Sequence, residues 1–138
     1  MQVSIGRYKK ESDPEGWGRK IKVKLHKFDT WNADVTLAQI IHPMLIQLRD
    51  TAHGYPAQFA ETEHGGNGGG SNAWKIILDH MIWSFKEIID DDYLNRFYNE
   101  RKTENSEDKD WIYKVVQHEN KIQEGLNNFS HYFRDLWD

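Results

Sequence analysis

Two histidines and two acids, His53, Glu61, Glu63 and His64, lie just ahead of or beside a run of five glycines in "TAHGYPAQFAETEHGGNGGGSNAW", and Asp79 and His80 follow it. Imidazole and carboxylate groups that converge can hold a divalent ion and activate a water for hydrolysis. His53, His64 and Asp79 are the set a metal-assisted hydrolase would use. Their spacing argues against it, because eleven residues separate the two histidines and no "HExxH" pair fixes ligands on one helical face. His53, followed by Gly54 and Pro56, reads more simply as the end of a helix, where an imidazole can donate to the last carbonyls. Asp79 sits beside Leu78, with Ile82 and Trp83 one turn further on, so near the core border its carboxylate needs pairing, which a partner from elsewhere in the fold could supply. The expectation is no metal, no cofactor and no catalytic residue.

A second chemistry is anion binding. In "RKIKVKLHKF" Lys20, Lys22 and Lys24 alternate with Ile21, Val23 and Leu25, so on a strand the three lysines project to one side. They suit a phosphate, and they equally suit a strand edge guarded against aggregation. Trp31, in "FDTWNAD", is either a hydrophobic staple on the next helix or a platform on which a base can stack. The glycine run lacks the lysine and hydroxyl of a P-loop and does not match "GxGxxG" after a strand. A mobile lid or a plain connection is what it can be.

A third is protein contact. Phe129, Phe133 and Trp137 are spaced four residues apart, which aligns them on one continued helix and marks them as interface anchors for a homo-oligomer or a host protein.

The elements that position these groups follow from periodicity. Val3 and Ile5, then Ile21, Val23 and Leu25, alternate with polar neighbours and predict an antiparallel hairpin over residues 1–28, whose apolar face needs a cover. Val35 to Leu48 form a helical stripe with Asn32 or Asp34 as N-cap, and Pro43 predicts a bend near 39–42 or two short helices in series. Trp74, Ile77, Leu78, Met81, Ile82, Phe85, Ile88 and Ile89 predict the most central helix, starting near Ser71 or Asn72. Tyr93, Leu94, Phe97 and Tyr98 predict a short edge helix. A long final stripe runs Trp111, Val115, His118, Ile122, Leu126, Phe129, Phe133, Leu136, with an interruption at Gly125. The expected fold is mainly α: a three-helix core over 29–138 with a flexible glycine-rich loop at 60–71 and a small N-terminal antiparallel β-hairpin, an α+β arrangement in a single domain.

Composition narrows the setting. The 138-residue chain has no cysteine, which excludes disulfides, thiolate catalysis and cysteine-ligated zinc. No segment reaches the length of a membrane span and "MQVSIGRYKK" does not read as an export signal, so a soluble, unexported protein without membrane partners is expected. The net charge of −4 is uneven: residues 1–28 hold eight bases against three acids, and 29–138 hold ten against nineteen. No zinc-finger, basic-zipper or RNA-recognition signature is present, so sequence-specific nucleic-acid reading is not expected.

The phrases "KFDTWNADVTLAQIIHPMLIQLRDTAHGYP", "WKIILDHMIWSFKEI" and "IQEGLNNFSHYFRDLWD" resemble a family of small uncharacterised accessory proteins encoded by tailed bacteriophages. The resemblance implies action in the host bacterial cytoplasm, by binding a host protein or sequestering an anionic nucleotide signal, including inhibition of host defence. It carries no site residue. The expectation is therefore a noncatalytic binder, with Lys20, Lys22, Lys24 and Trp31 as ligand contacts.

Overall fold

A computed structural model describes residues 1–6, 20–60, 69–104 and 108–137. The chain is mainly helical with a two-stranded sheet at its start, the α+β class that the periodicities predict. It divides into two compact units, Met1–Thr36 and Leu37–Asp138.

In the first unit β1 (Gln2–Ile5) pairs antiparallel with β2 (Ile21–Lys24), with Val3 opposite Val23 and Ile5 opposite Ile21. Backbone pairing continues one step further, Gly6 N–H donating to the Lys20 carbonyl at 2.9 Å. The apolar side of this ribbon departs from expectation. Instead of being covered, Ile21 is 65 % and Val23 54 % exposed, and Val3, Ile5 and Leu25 are exposed as well. A 3-10 turn at Lys27–Thr30 follows. Its Asp29 accepts from the His26 backbone N–H at 2.6 Å and from the Met1 ammonium at 2.9 Å. Those two donors, the backbone one first, hold the Asp29 carboxyl below its usual range.

Helix α1 (Ala33–Thr51) begins on Asn32, whose carbonyl accepts from the Thr36 N–H at 3.0 Å. It runs through Pro43 as one helix, not as the two short ones that proline suggests. An interior proline costs about 3 kcal/mol. Here Ala38 and Leu45, buried on either side of it in one core, hold both halves in register. Gln39 and Pro43 are exposed, so water can take the bond proline cannot supply.

Helix α2 (Gly69–Asp90) is the centre of the second unit, burying Trp74, Leu78, Met81 and Phe85 at spacings of four, three and four. It starts two residues ahead of the predicted Ser71. Residues 61–68 of the expected 60–71 loop lie outside the described residues, whereas Gly69, Gly70 and Ser71 are helical. A Cβ on the buried Gly70 would lie 2.5 Å from Tyr55 Cε2, so only glycine admits the Tyr55 ring there. After Asp90, Asp91 takes a left-handed φ of 44° and donates its N–H to the Glu87 carbonyl at 3.0 Å, closing the helix. The Asp92 carbonyl then accepts from Arg96 N–H and opens α3 (Tyr93–Glu104).

Helix α4 (Asp108–His131) packs along α2 and also against α3. Gly125 does not interrupt it. That glycine is buried at the crossing with α2, facing Ser84. The helix ends at His131, short of the predicted Leu136, and a 3-10 turn at Phe133–Asp135 follows. The turn brings Tyr132 edge-on to Trp74, ring centres 5.4 Å apart, and within 5.7 Å of Phe59. Among the described residues no helix is long and apolar enough to cross a membrane.

Candidate functional site

The hairpin places the predicted lysines as a row. Strand alternation puts Lys22 and Lys24 opposite Ser4 and Gln2, on the side away from Val3, Ile5, Ile21 and Val23, and Lys20 continues that row. All three are exposed, and the residues across from them carry no carboxylate. Among the described residues no acid forms an ion pair with any of the three. Trp31 belongs to the same compact unit. It is 82 % exposed instead of stapled beneath a helix, and its ring stacks on that of Phe28, centres 6.4 Å apart and planes 20° from parallel. Phe28 is exposed too. Exposed lysines on the hairpin and an exposed ring pair after it are side-chain types that phosphate and a base can contact.

The three residues of the hydrolase reading are not brought together among the described residues. His64 lies outside them. His53 is exposed beyond the end of α1, and Asp79 is half-exposed on α2 with Arg49 Nη1 at 2.8 Å. Arg49 also holds Asp50 at 2.9 Å, and the two carboxylates, Asp79 first, raise its pKa. The partner of Asp79 is thus an arginine on α1, and because the carboxylate is exposed and not at the core border, this is a surface ion pair worth about 0–1 kcal/mol. Neighbouring His80 is occupied as well: Nε2 donates to the Lys121 carbonyl at 3.0 Å, which leaves Nδ1 to accept from Asn128 at 3.4 Å. Among the described residues no group of three histidines and acids is disposed to hold a metal ion.

Of the interface residues, Phe129 is partly buried and packs against the core, edge-on to Phe85 at 5.0 Å and to Phe133 at 5.5 Å. Phe133 and Trp137 are exposed, but both lie beyond the end of α4, so the three do not form one helical stripe.

Sequence reasoning missed a polar cluster between α2, α3 and α4. Glu87, 8 % exposed, accepts from Arg96 Nη2 and from His118 Nε2, the latter at 2.8 Å. The His118 ring is stacked on Tyr93 (4.9 Å) and met edge-on by Trp83 and Phe97, each 5.2 Å away. A carboxylate on an imidazole is the arrangement of a catalytic base and its orienting group. Three aromatic rings around the imidazole make it instead a fixed polar joint among three helices. The available signal was that Glu87 and His118 interrupt apolar stripes at core-facing positions.

Tyr93 closes this cluster, its hydroxyl donating to Glu119 Oε1 at 3.0 Å. Partial burial, and then the adjacent carboxylate, push its pKa above the ordinary 10.0. The folded state therefore holds this proton more tightly than the unfolded one. The resulting stability is complete below pH 10.0 and is lost as pH rises through the folded value. Subtracting the phenolate absorbance titration of Tyr93→Phe from that of the unaltered protein will show a step above pH 10.0; a step at or below it contradicts the contact.

No protein-family model, no curated protein and no solved structure matches the chain.

Proposed function

We propose that the protein is a noncatalytic binder of an anionic nucleotide, with Lys20, Lys22 and Lys24 neutralising phosphate and Trp31 stacking on the base. The observation that carries this reading is the row of exposed lysines with no paired acid among the described residues, in one compact unit with the exposed Phe28–Trp31 stack. A lysine row used only to guard a strand edge leaves the exposed ring pair unexplained. On the reading of the chain as a phage accessory protein, the ligand is a nucleotide signal of the bacterial host, removed by sequestration. A host-protein partner is the second reading, favoured by the exposed Val3, Ile5, Ile21 and Val23 on the other side of the ribbon.

Titration calorimetry at low salt against cyclic nucleotides, linear nucleotides and short single-stranded oligonucleotides tests the proposal. Binding should weaken as salt rises, with a log–log slope near −2 for three neutralised phosphates on a single strand, following ~0.7 per contact. Replacing all three lysines by glutamine should lower affinity at least about tenfold and flatten that slope. Trp31→Ala should remove about 1–3 kcal/mol by loss of stacking. Absence of binding across the panel, or a triple variant that binds like the unaltered protein, would sink the proposal.

A further inference from the structure

A cleft of about 60 Å³ in the second unit is lined by Gly54, Tyr55, Pro56, Trp74, Asp135 and Trp137. We propose that it binds a small alkylated ammonium group, with the rings of Tyr55, Trp74 and Trp137 as walls and Asp135 as countercharge. Three aromatic residues and one carboxylate are the chemistry that recognises an organic cation, because the electron-rich ring faces attract positive charge and replace its hydration.

Two of the walls are built in advance. Trp74, 2 % exposed, is held by Phe59 at 6.0 Å and Tyr132 at 5.4 Å, and the Tyr55 ring is seated over Gly70, where no side chain fits. Trp137, 71 % exposed, is the wall free to close. Among the described residues the lining contains no lysine, arginine or histidine, and none of the first five residues of α2, so neither basic side chains nor the unpaired amides that begin that helix favour an anion there. Among the described residues no cation pairs with Asp135. A single carboxylate does not make a metal site. The space is far below the ~300–1,000 Å³ of a site for a drug-sized ligand, which selects a methylated or short-alkyl ammonium head. That head belongs either to a free amine such as choline or to a methylated lysine side chain.

The test follows tryptophan fluorescence or calorimetry of the full chain with tetramethylammonium, choline, the neutral isostere 3,3-dimethylbutanol, and a peptide containing trimethyl-lysine. Saturable binding of the cations is expected, at least about tenfold tighter than the neutral isostere, with a loss of similar size in Trp137→Ala and in Asp135→Asn. Both substitutions lie beyond the last helix and outside the buried core, so the fold persists. The peptide binding more tightly than choline assigns a protein ligand, and the reverse assigns a free amine; both support the site. No saturable cation binding, equal affinity for the isostere, or unchanged affinity in Trp137→Ala overturns it. The variant lacking Lys20, Lys22 and Lys24 should keep this binding, which separates the cleft from the nucleotide reading.

Discussion

Gly125→Ala is expected to destabilise the protein by about 2 kcal/mol, although the same exchange in an exposed helix interior stabilises by about 1 kcal/mol. The sign reverses because of where the new methyl must go. A Cβ on Gly125 would lie 1.9 Å from Ser84 Oγ, 2.6 Å from Ser84 Cβ and 3.0 Å from the His80 carbonyl oxygen. The first contact is with a short side chain that has nowhere to retreat, since Ser84 is fully buried, and the third is with helix backbone. Relief requires α2 and α4 to move apart, and overpacking of this kind costs about 1–3 kcal/mol or more. That exceeds the gain in helix propensity. Ser84→Ala alone should be neutral or mildly stabilising, because the Ser84 hydroxyl is buried without a hydrogen-bond partner among the described residues. It will not rescue Gly125→Ala, since the remaining methyl carbon is still too close. Ser84→Gly will in large part, leaving only the 3.0 Å approach to the His80 carbonyl oxygen, so the Ser84→Gly/Gly125→Ala pair should be strongly non-additive in a urea-unfolding cycle. An alanine at 125 that raises stability would show that the helices do not approach this closely.

That crossing also marks what the sequence could and could not disclose. The period of apolar residues located each helix, because burial of Trp74, Leu78, Met81 and Phe85 is what makes α2 helical and central. Period alone says nothing of distance between helices. Gly125 therefore read as an interruption, when it is the place where two backbones come closest. Gly69 and Gly70 read as loop for the same reason; the need for a glycine under Tyr55 arises only once residues fifteen apart are brought together. The final stripe continued in pattern to Leu136 and the helix did not, because Tyr132 gains more by turning onto Trp74 and Phe59 than by extending α4. The lysine row was legible, being a matter of strand alternation within a few residues. The cleft was not, since it joins Tyr55, Trp74 and Trp137 from three distant stretches. Asp79 read as a carboxylate at the core border; it is exposed instead, and its pairing with Arg49 depended on how α1 and α2 pack.

Removing the Glu87 carboxylate is expected to have the larger effect, about 3 kcal/mol for Glu87→Ala, in the range seen when one partner of a buried pair is lost. Glu87 is nearly buried and serves two donors, Arg96 from α3 and His118 from α4, so its loss leaves a ring nitrogen enclosed by Trp83, Tyr93 and Phe97 without an acceptor. An orphaned buried donor costs about 1–3 kcal/mol, and the vacated side-chain volume adds to it. Arg96→Ala should cost much less, about 0–1 kcal/mol, because the Arg96 side chain is half-exposed and Glu87 keeps His118 when it is gone. Glu87→Gln should fall between them, since it retains the shape and one acceptor oxygen but not the charge. Unfolding in urea with near-ultraviolet circular dichroism follows both the stability and the packing of the three rings. A Glu87→Ala variant no worse than Arg96→Ala would mean that the carboxylate answers only to the exposed arginine and that His118 is held by the rings alone. The predicted order, alanine at 87 well above glutamine at 87 and alanine at 96 least, instead makes Glu87 the point through which α2 fixes the positions of both α3 and α4.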